Sequence, residues 1–120
     1  MSMIDDPAIS RLSRFLDLNV RRGELAMSNM ANIDTPGYRT RDISFREELE
    51  RASSPFEYAS LPPVARPVLN LITRPDGNNV SLEREGLLLA DTQLRFNAGV
   101  QLLRDKFKML AMAIQEGSNS

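Results

Sequence analysis

The stretch that decides the fold begins at residue 82 and reads LEREGLLLADTQLRFNAGVQLLRDKFKMLAMAI, ending at residue 114. Within it, apolar and small residues recur at alternating steps of three and four, which is the repeat of a helix that packs along one stripe. A similar repeat occupies residues 7–33. Two such stripes at opposite ends of a short chain predict two long helices packed as a coiled-coil-like pair. The predicted contact positions are Ile9, Leu12, Leu16, Asn19, Gly23, Ala26 and Met30 in the first helix, and Leu89, Gln93, Phe96, Val100, Leu103, Phe107, Leu110 and Ile114 in the second.

Capping residues predict where these helices begin and end. Asp6 can cap the first helix, and Pro7 suits its first position, where a missing N–H costs nothing. Pro36 and Gly37 form a turn that stops this helix near residue 33. Ser81 is a plausible cap for the last helix, which we expect to reach residue 116.

The middle of the chain, residues 34–80, cannot form a long helix, because five prolines lie between residues 53 and 79. Ser44 and Glu47 have the spacing of a capping box, which predicts one short helix ending near Ala52. Residues 68–73 are a candidate for one short strand, and a small β-hairpin is the alternative. We therefore predict a mainly α chain, residues 1–120 forming a single domain with an irregular, proline-rich middle.

Composition and charge argue against several classes of function. The net charge is -1, and acidic and basic residues are spread evenly along the chain, so no basic face for nucleic acid can be assembled. The sequence has no Cys and no His, which removes the commonest metal ligands, thiolate nucleophiles and general bases. No apolar stretch approaches the roughly 20 residues that span a bilayer. The first residues also lack the basic and apolar regions of a cleaved Sec-type signal.

The acidic residues do not form a convincing catalytic or metal site either. Glu47 and Glu48 are adjacent on a predicted helix, so their side chains diverge by about 100°. Residues 76–79, DGNN, vaguely resemble a calcium loop but lack its ligand spacing and its terminal Glu. We therefore expect no catalytic residue, no cofactor and no metal.

Both helices also carry apolar residues outside the predicted contact stripe. One interpretation is a small core shared with the middle segment. The other is that each chain is surrounded by several neighbouring subunits, since two helices and a proline-rich loop bury little surface alone. On the second interpretation, we hypothesise that the isolated chain is partly disordered and that its ends fold on assembly. Polar or small contact positions such as Asn19, Gly23 and Gln93 either fix the packing register or are local imperfections.

Residues 25–38, LAMSNMANIDTPGY, resemble the signature of the bacterial flagellar rod, hook and hook-associated proteins. In that family an amphipathic helix ends in the run Asn-Ile/Leu-Ala-Asn-x-x-Thr-Pro-Gly-Tyr, and Met30 stands here at the Ile/Leu position. The runs RTRDISF at 39–45 and GNNVSLERE at 77–85 are similar to those of proximal rod members. The residues that match the signature are Asn29, Ala31, Asn32, Thr35, Pro36, Gly37 and Tyr38.

This resemblance implies a structural subunit of the flagellar basal-body rod, which assembles helically into a drive shaft around an export channel. The implied partners are copies of the chain itself, other rod proteins, a rod adaptor at the export gate and the flagellar type III export apparatus. The implied location is the periplasmic rod, reached without a cleaved Sec signal. The alternatives are a sister proximal rod protein of the C type, or a soluble helical adaptor or chaperone unrelated to flagella.

The signature also has a physical interpretation. Asn29 and Asn32 lie one turn apart near a helix end, where their amides can bond the last free carbonyls or a neighbour's backbone. Tyr38 can bury its ring and direct its hydroxyl to a partner. We expect the turn at residues 35–37 to orient the middle segment against the next subunit. The simpler alternative is that the run only stops a helix and turns the chain.

Overall fold

A computed structural model describes residues 6–52 and 62–118 of the chain. The molecule is long and thin, with extents of 71 × 29 × 18 Å. The predicted mainly helical fold is confirmed, with two long helices and a short middle region that contains one small helix. The elements in order are α1 (Pro7–Ala31), β1 (Arg41–Asp42), α2 (Phe45–Ala52), β2 (Arg66–Pro67) and α3 (Leu82–Ser118).

Side-chain caps start all three helices. The Asp6 carboxylate accepts a hydrogen bond from the backbone N–H of Ala8 at 2.8 Å. Ser81 Oγ accepts from the N–H of Arg84 at 3.2 Å, and Ser44 Oγ accepts from that of Glu47 at 3.4 Å. The sequence predicts the C-terminal ends of the two long helices less accurately: α1 ends two residues before the predicted residue 33, and α3 runs two residues beyond the predicted residue 116.

The two long helices pack antiparallel against each other. Near one end Asn29 of α1 bonds Glu85 of α3 at 3.1 Å, and near the other Lys106 Nζ lies 3.8 Å from an Asp6 carboxylate oxygen. The predicted coiled-coil-like pair is therefore confirmed. Residues 107–118 of α3 continue beyond the point where α1 begins, and all the side chains described there are exposed except that of Leu110, which is half-buried. We call this segment the α3 overhang.

The line of α3 that faces α1 differs in part from the predicted stripe. Its buried residues are Glu85, Thr92 and Gly99, spaced seven apart. A Cβ on Gly99 would stand only 2.8 Å from Leu16 Cδ2, so a small residue is what allows the helices to approach. A search for regularly spaced apolar residues misses this line, because Glu85 and Thr92 are polar and Gly99 has no side chain. Of the predicted positions, Leu89, Phe96, Val100, Leu103 and Leu110 are half-buried, whereas Gln93, Phe107 and Ile114 are exposed.

The middle region packs against a second side of α1. β1 and β2 pair antiparallel, with Arg41 opposite Pro67 and Asp42 opposite Arg66. The structure therefore contains a pair of antiparallel strands, as the hairpin alternative predicts, but α2 lies between the two strands in the sequence. The strand prediction for residues 68–73 is wrong: only Val68 continues the pairing, through its N–H to Thr40 O, and Asn70 then turns with a φ of 66°.

A small core lies between α1 and this middle region. Its buried members are Leu18, Leu25 and Ile43, and Phe45, Leu49 and Ala65 pack against them half-buried. Leu18 and Leu25, two apolar residues of α1 outside the predicted contact stripe, therefore belong to a core shared with the middle segment, as the first interpretation expects. Among the residues that the structure describes, no helix is long and apolar enough to cross a membrane.

Candidate assembly site

The signature residues lie at the junction where α1 ends and the chain turns. Asn32 Nδ2 donates to Ser28 O at 2.8 Å, which satisfies one of the free carbonyls at the end of the helix. Its Oδ1 accepts from Thr35 Oγ1 at 3.0 Å, which fixes the first residue of the turn. Ala31, Thr35, Pro36 and Gly37 are exposed, so this part of the signature faces outward.

Asn29 is the buried centre of the junction, with 1% of its surface exposed. Its Oδ1 accepts from the Tyr38 hydroxyl at 2.9 Å and from the N–H of Arg41 at 3.2 Å. Its Nδ2 donates to Arg41 O at 2.9 Å and to Glu85 Oε2 at 3.1 Å. One amide therefore joins α1, β1 and α3, and the Tyr38 hydroxyl finds its partner inside the same chain.

Asn78 closes the C-terminal end of α1 from the other side. Its Nδ2 lies 2.9 to 3.0 Å from the carbonyl oxygens of Asn32, Ile33 and Thr35. The guanidinium of Arg74 donates to Ile33 O as well. Carbonyls that a helix end leaves free are thus satisfied by the segment that leads into α3.

Two glycines make the close approach of these segments possible. Gly37 and Gly77 have φ values of 75° and 86°, a region that residues with a Cβ rarely adopt. The N–H of Gly37 donates to Asp76 O at 2.8 Å. A Cβ on Gly77 would lie 3.2 Å from Gly37 Cα, whereas a Cβ on Gly37 would meet no atom within 4 Å.

Four charged side chains extend the junction into an alternating cluster. The Asp42 carboxylate accepts two hydrogen bonds from Arg22, one from Nε and one from Nη2, each 3.0 Å long. It accepts a third hydrogen bond from Arg84 Nη2 at 2.8 Å. Arg84 also donates to Glu85 Oε1 at 2.7 Å. Glu85 is fully buried, and its two oxygens are bonded to Arg84 and Asn29. A buried carboxylate needs such partners, because removing a charge from water is costly.

These hydrogen bonds and ion pairs hold the end of α1, strand β1 and the start of α3 together. The polar groups at its centre bond one another, and arginine side chains hold both the Asp42 and the Glu85 carboxylates. Glu47 and Glu48 diverge as expected, with Glu48 buried against Arg14 and Glu47 bonded to Arg66. Within residues 6–52 and 62–118, no group of acidic side chains could hold a metal ion.

Large apolar side chains remain exposed on both long helices. On α1 these include Val20 and Met27, which border a groove that also contains Leu89 and Phe96 of α3. The exposed apolar side chains of α3 are Leu82, Leu87, Leu94, Leu102, Phe107, Met109, Met112 and Ile114. They lie on more than one side of the helix, and several stand in the overhang.

Sequence reasoning assigned no role to several residues of the junction. Arg22 and Asp42 are 20 residues apart and carry no local motif that would pair them. Asn78, Arg84 and Glu85 lie within the run GNNVSLERE, which resembles proximal rod proteins and whose local features predict a helix start at Ser81 but no contact with α1 or β1. That resemblance was the one feature that could have pointed to them.

Comparison with known proteins finds several flagellar basal body rod proteins among the relatives of the chain. The chain is 32% identical to the flagellar basal body rod protein FlgB of Yersinia enterocolitica, over 93% of this chain and 96% of the relative. It is 34% identical to FlgB of Cereibacter sphaeroides, over 83% and 88%, and 29% identical to FlgB of Salmonella typhimurium, over 94% and 96%. No family model matches the chain.

Proposed function

The chain belongs to the flagellar basal body rod protein FlgB family, and from that premise we propose that it is a structural subunit of the proximal rod, which assembles helically with itself and with other rod proteins. In this role the two long helices form part of the wall of a drive shaft that surrounds an export channel. Similarity to FlgB proteins supports the assignment to the basal body, and the exposed apolar surfaces of the structure support the mode of assembly.

One observation carries the proposed mode of assembly: the antiparallel helix pair exposes large apolar side chains on several sides. Leu94 is 71% exposed, Leu87 66% and Met109 64%. Single exposed apolar residues are ordinary on a soluble protein, but runs of them along a helix mark surfaces that another protein covers. A subunit enclosed by neighbours on several sides needs such surfaces.

The junction supports the mechanical part of this role. A shaft transmits torque only if its subunits do not bend where their elements meet. Asn29, Asn78 and Asp42 tie the end of α1 to the start of α3 through several hydrogen bonds each. The long helices are themselves stiff elements, and α3 extends about 55 Å at 1.5 Å per residue.

The finer parts of the proposal draw on the resemblance of the chain to proximal rod proteins. We place the subunit in the periplasmic part of the basal body, next to a rod adaptor at the export gate. It reaches this place through the flagellar type III export apparatus and needs no cleaved Sec signal. Its role is structural, with no catalytic reaction and no cofactor.

The decisive experiment is electron microscopy of basal bodies purified from a strain that lacks this chain. Loss of the rod, with the membrane rings retained, is the expected result, and the normal chain supplied in trans should restore the rod. Normal basal bodies in the deletion strain would contradict the proposal and favour a soluble adaptor or chaperone.

A matched pair of variants tests the exposed surface in the same assay. Leu94→Glu places a charge at a 71% exposed apolar position, so we expect rods to be absent or short although the chain is produced. Gln101→Glu adds the same charge at an exposed polar position of the same helix. It loses only a surface hydrogen bond to Asp105, which contributes little at an exposed site, and should leave rods normal. Equal rod yields for both variants would show that Leu94 does not face a neighbour.

A further inference from the structure

All the sulfur of this chain is in methionine. The sequence has six methionines and no cysteine, so any sulfur-based redox chemistry has to occur at thioether groups. A cysteine reacts as the thiolate and therefore depends on its pKa, whereas a thioether is oxidised without losing a proton. Access of the oxidant to the sulfur atom therefore decides which methionine reacts.

The described part of the chain contains four methionines, and they differ in exposure. Met27 is 53% exposed, Met109 64% and Met112 55%. Met30 lies three residues after Met27 on the same helix and is half-buried. The folded chain therefore presents three thioethers openly and a fourth only in part.

The three exposed methionines lie on the apolar surfaces of the two long helices. Met27 borders the groove between α1 and α3, which Phe96 also lines. Met109 and Met112 lie in the α3 overhang, where Ile114 is also exposed. Oxidation at these positions would place a polar oxygen atom on surfaces that are otherwise apolar.

Such a change should alter the surface of the free chain without disturbing its core. The buried members of the core between α1 and the middle region are Leu18, Leu25 and Ile43, none of which is a methionine. Water already surrounds the exposed side chains, so a sulfoxide there remains hydrated. A neighbouring subunit that covered the sulfoxide would have to remove a polar group from water, which is costly without a hydrogen-bond partner.

We propose that Met27, Met109 and Met112 are oxidation sites of the unassembled chain, and that their sulfoxides block assembly. Hydrogen peroxide transfers one oxygen atom to the thioether sulfur, which is oxidised by two electrons, and the peroxide is reduced to water. Both carbon–sulfur bonds remain intact. The inference rests on the proposed function in one respect, namely that other subunits cover these surfaces in the rod.

Peptide mapping by mass spectrometry tests the sites in the purified chain. During limited treatment with hydrogen peroxide, we expect Met27, Met109 and Met112 to be oxidised several-fold faster than Met30, while the helical circular dichroism signal stays unchanged. In denaturant Met30 should react at the same rate as the other three. Equal rates in the folded chain, or loss of helix when the three exposed sites are oxidised, would overturn the proposal.

Rod formation in peroxide-treated cells tests the consequence. The deletion strain receives either the normal chain or a chain with Met27→Leu, Met109→Leu and Met112→Leu, because leucine nearly conserves the volume of methionine and has no sulfur. In sublethal hydrogen peroxide the normal chain should form several-fold fewer new rods, and the leucine chain should form as many as in untreated cells. An equal loss with both chains, or no loss with either, would count against the proposal.

A second triple variant separates polarity from shape. Met27→Gln, Met109→Gln and Met112→Gln introduce side chains of similar length that are permanently polar, so this chain should form few rods even without peroxide. Normal rods with the glutamine chain would show that polar groups at these positions do not block assembly. Missing rods with the leucine chain in untreated cells would equally contradict the proposal, because an apolar side chain of similar volume should suffice.

The untreated deletion strain separates failure of this inference from failure of the proposed function. If that strain lacks rods and peroxide affects the normal and leucine chains alike, the chain is a rod subunit whose assembly does not depend on these methionines. If that strain has normal basal bodies, the proposed function itself fails.

Discussion

Asn29 Nδ2 and Glu85 Oε2 are hydrogen bonded at 3.1 Å although the two residues are 56 positions apart in the chain. Glu85 is fully buried, and Asn29 holds it from α1 while Arg84 holds it from its own helix. This pair is the point at which the end of the first long helix is attached to the start of the last.

The replacement Asn29→Ala should therefore be severely destabilising. It removes four hydrogen bonds and leaves Glu85 with one partner fewer, at a cost of about 3 kcal/mol in the free energy of unfolding. Chemical denaturation followed by circular dichroism measures the change. The control is Asn32→Ala at the same helix end, where the side chain is half-buried, and we expect it to cost clearly less. Equal losses would show that the buried network adds nothing.

Two glycines of α3, Gly86 and Gly99, should respond in opposite directions to the same substitution. In Gly99→Ala the new methyl would stand 2.8 Å from Leu16 and 3.2 Å from Phe15, so strain should exceed the gain in helix propensity and lower the melting temperature. Gly86→Ala meets no atom within 4 Å and should gain about 1 kcal/mol from helix propensity alone. A stabilised Gly99→Ala variant would mean that the helices are not packed this closely at that position.

Breaking the charge cluster should cost far more than breaking a surface ion pair. Asp42→Asn removes the charge that Arg22 and Arg84 share, and truncating one member of a largely buried cluster costs about 3 kcal/mol. Glu24→Gln breaks the exposed pair with Arg21 and should leave the unfolding midpoint almost unchanged. Thermal unfolding of both variants beside the normal chain is sufficient, and a small effect of Asp42→Asn would contradict the arrangement.

Hydrogen exchange should divide α3 into two parts. Residues 85–100 form the part of α3 that packs against α1, so their amides should exchange slowly. The α3 overhang has no neighbouring element within the described chain, so its amides should exchange rapidly. The same measurement, with circular dichroism, tests the hypothesis that the isolated chain is partly disordered. A fully helical monomer that melts sharply and protects residues 107–118 would rule that hypothesis out.

Local sequence features predicted the elements of this fold better than their contacts. Asp6, Ser44 and Ser81 are caps, and each acts on backbone groups only two or three residues away, so their roles can be seen in the sequence. The turn at Pro36 and Gly37 follows from backbone sterics in the same way.

The contact line on α3 and the partners at the junction were not predictable in this way. Thr92 and Gly99 are buried because they are small enough for the helices to meet, and small size gives no apolar periodicity. Asn78 and Asp42 find their partners far along the chain, so only the folded structure brings them together. The strand prediction failed because residues 68–73 are apolar enough to resemble a strand, although the fold leaves Leu69 and Ile72 in solvent.

The α3 overhang gives the molecule two unlike extremities. At one end the junction holds α1 and α3 together, and at the other end the overhang extends as a single helical arm. In a stack of identical copies the two tips would therefore differ, with arms protruding at one and sealed ends at the other. Subunits arriving at these tips would meet different surfaces and add at different rates, so a filament built this way has an inherent direction of growth.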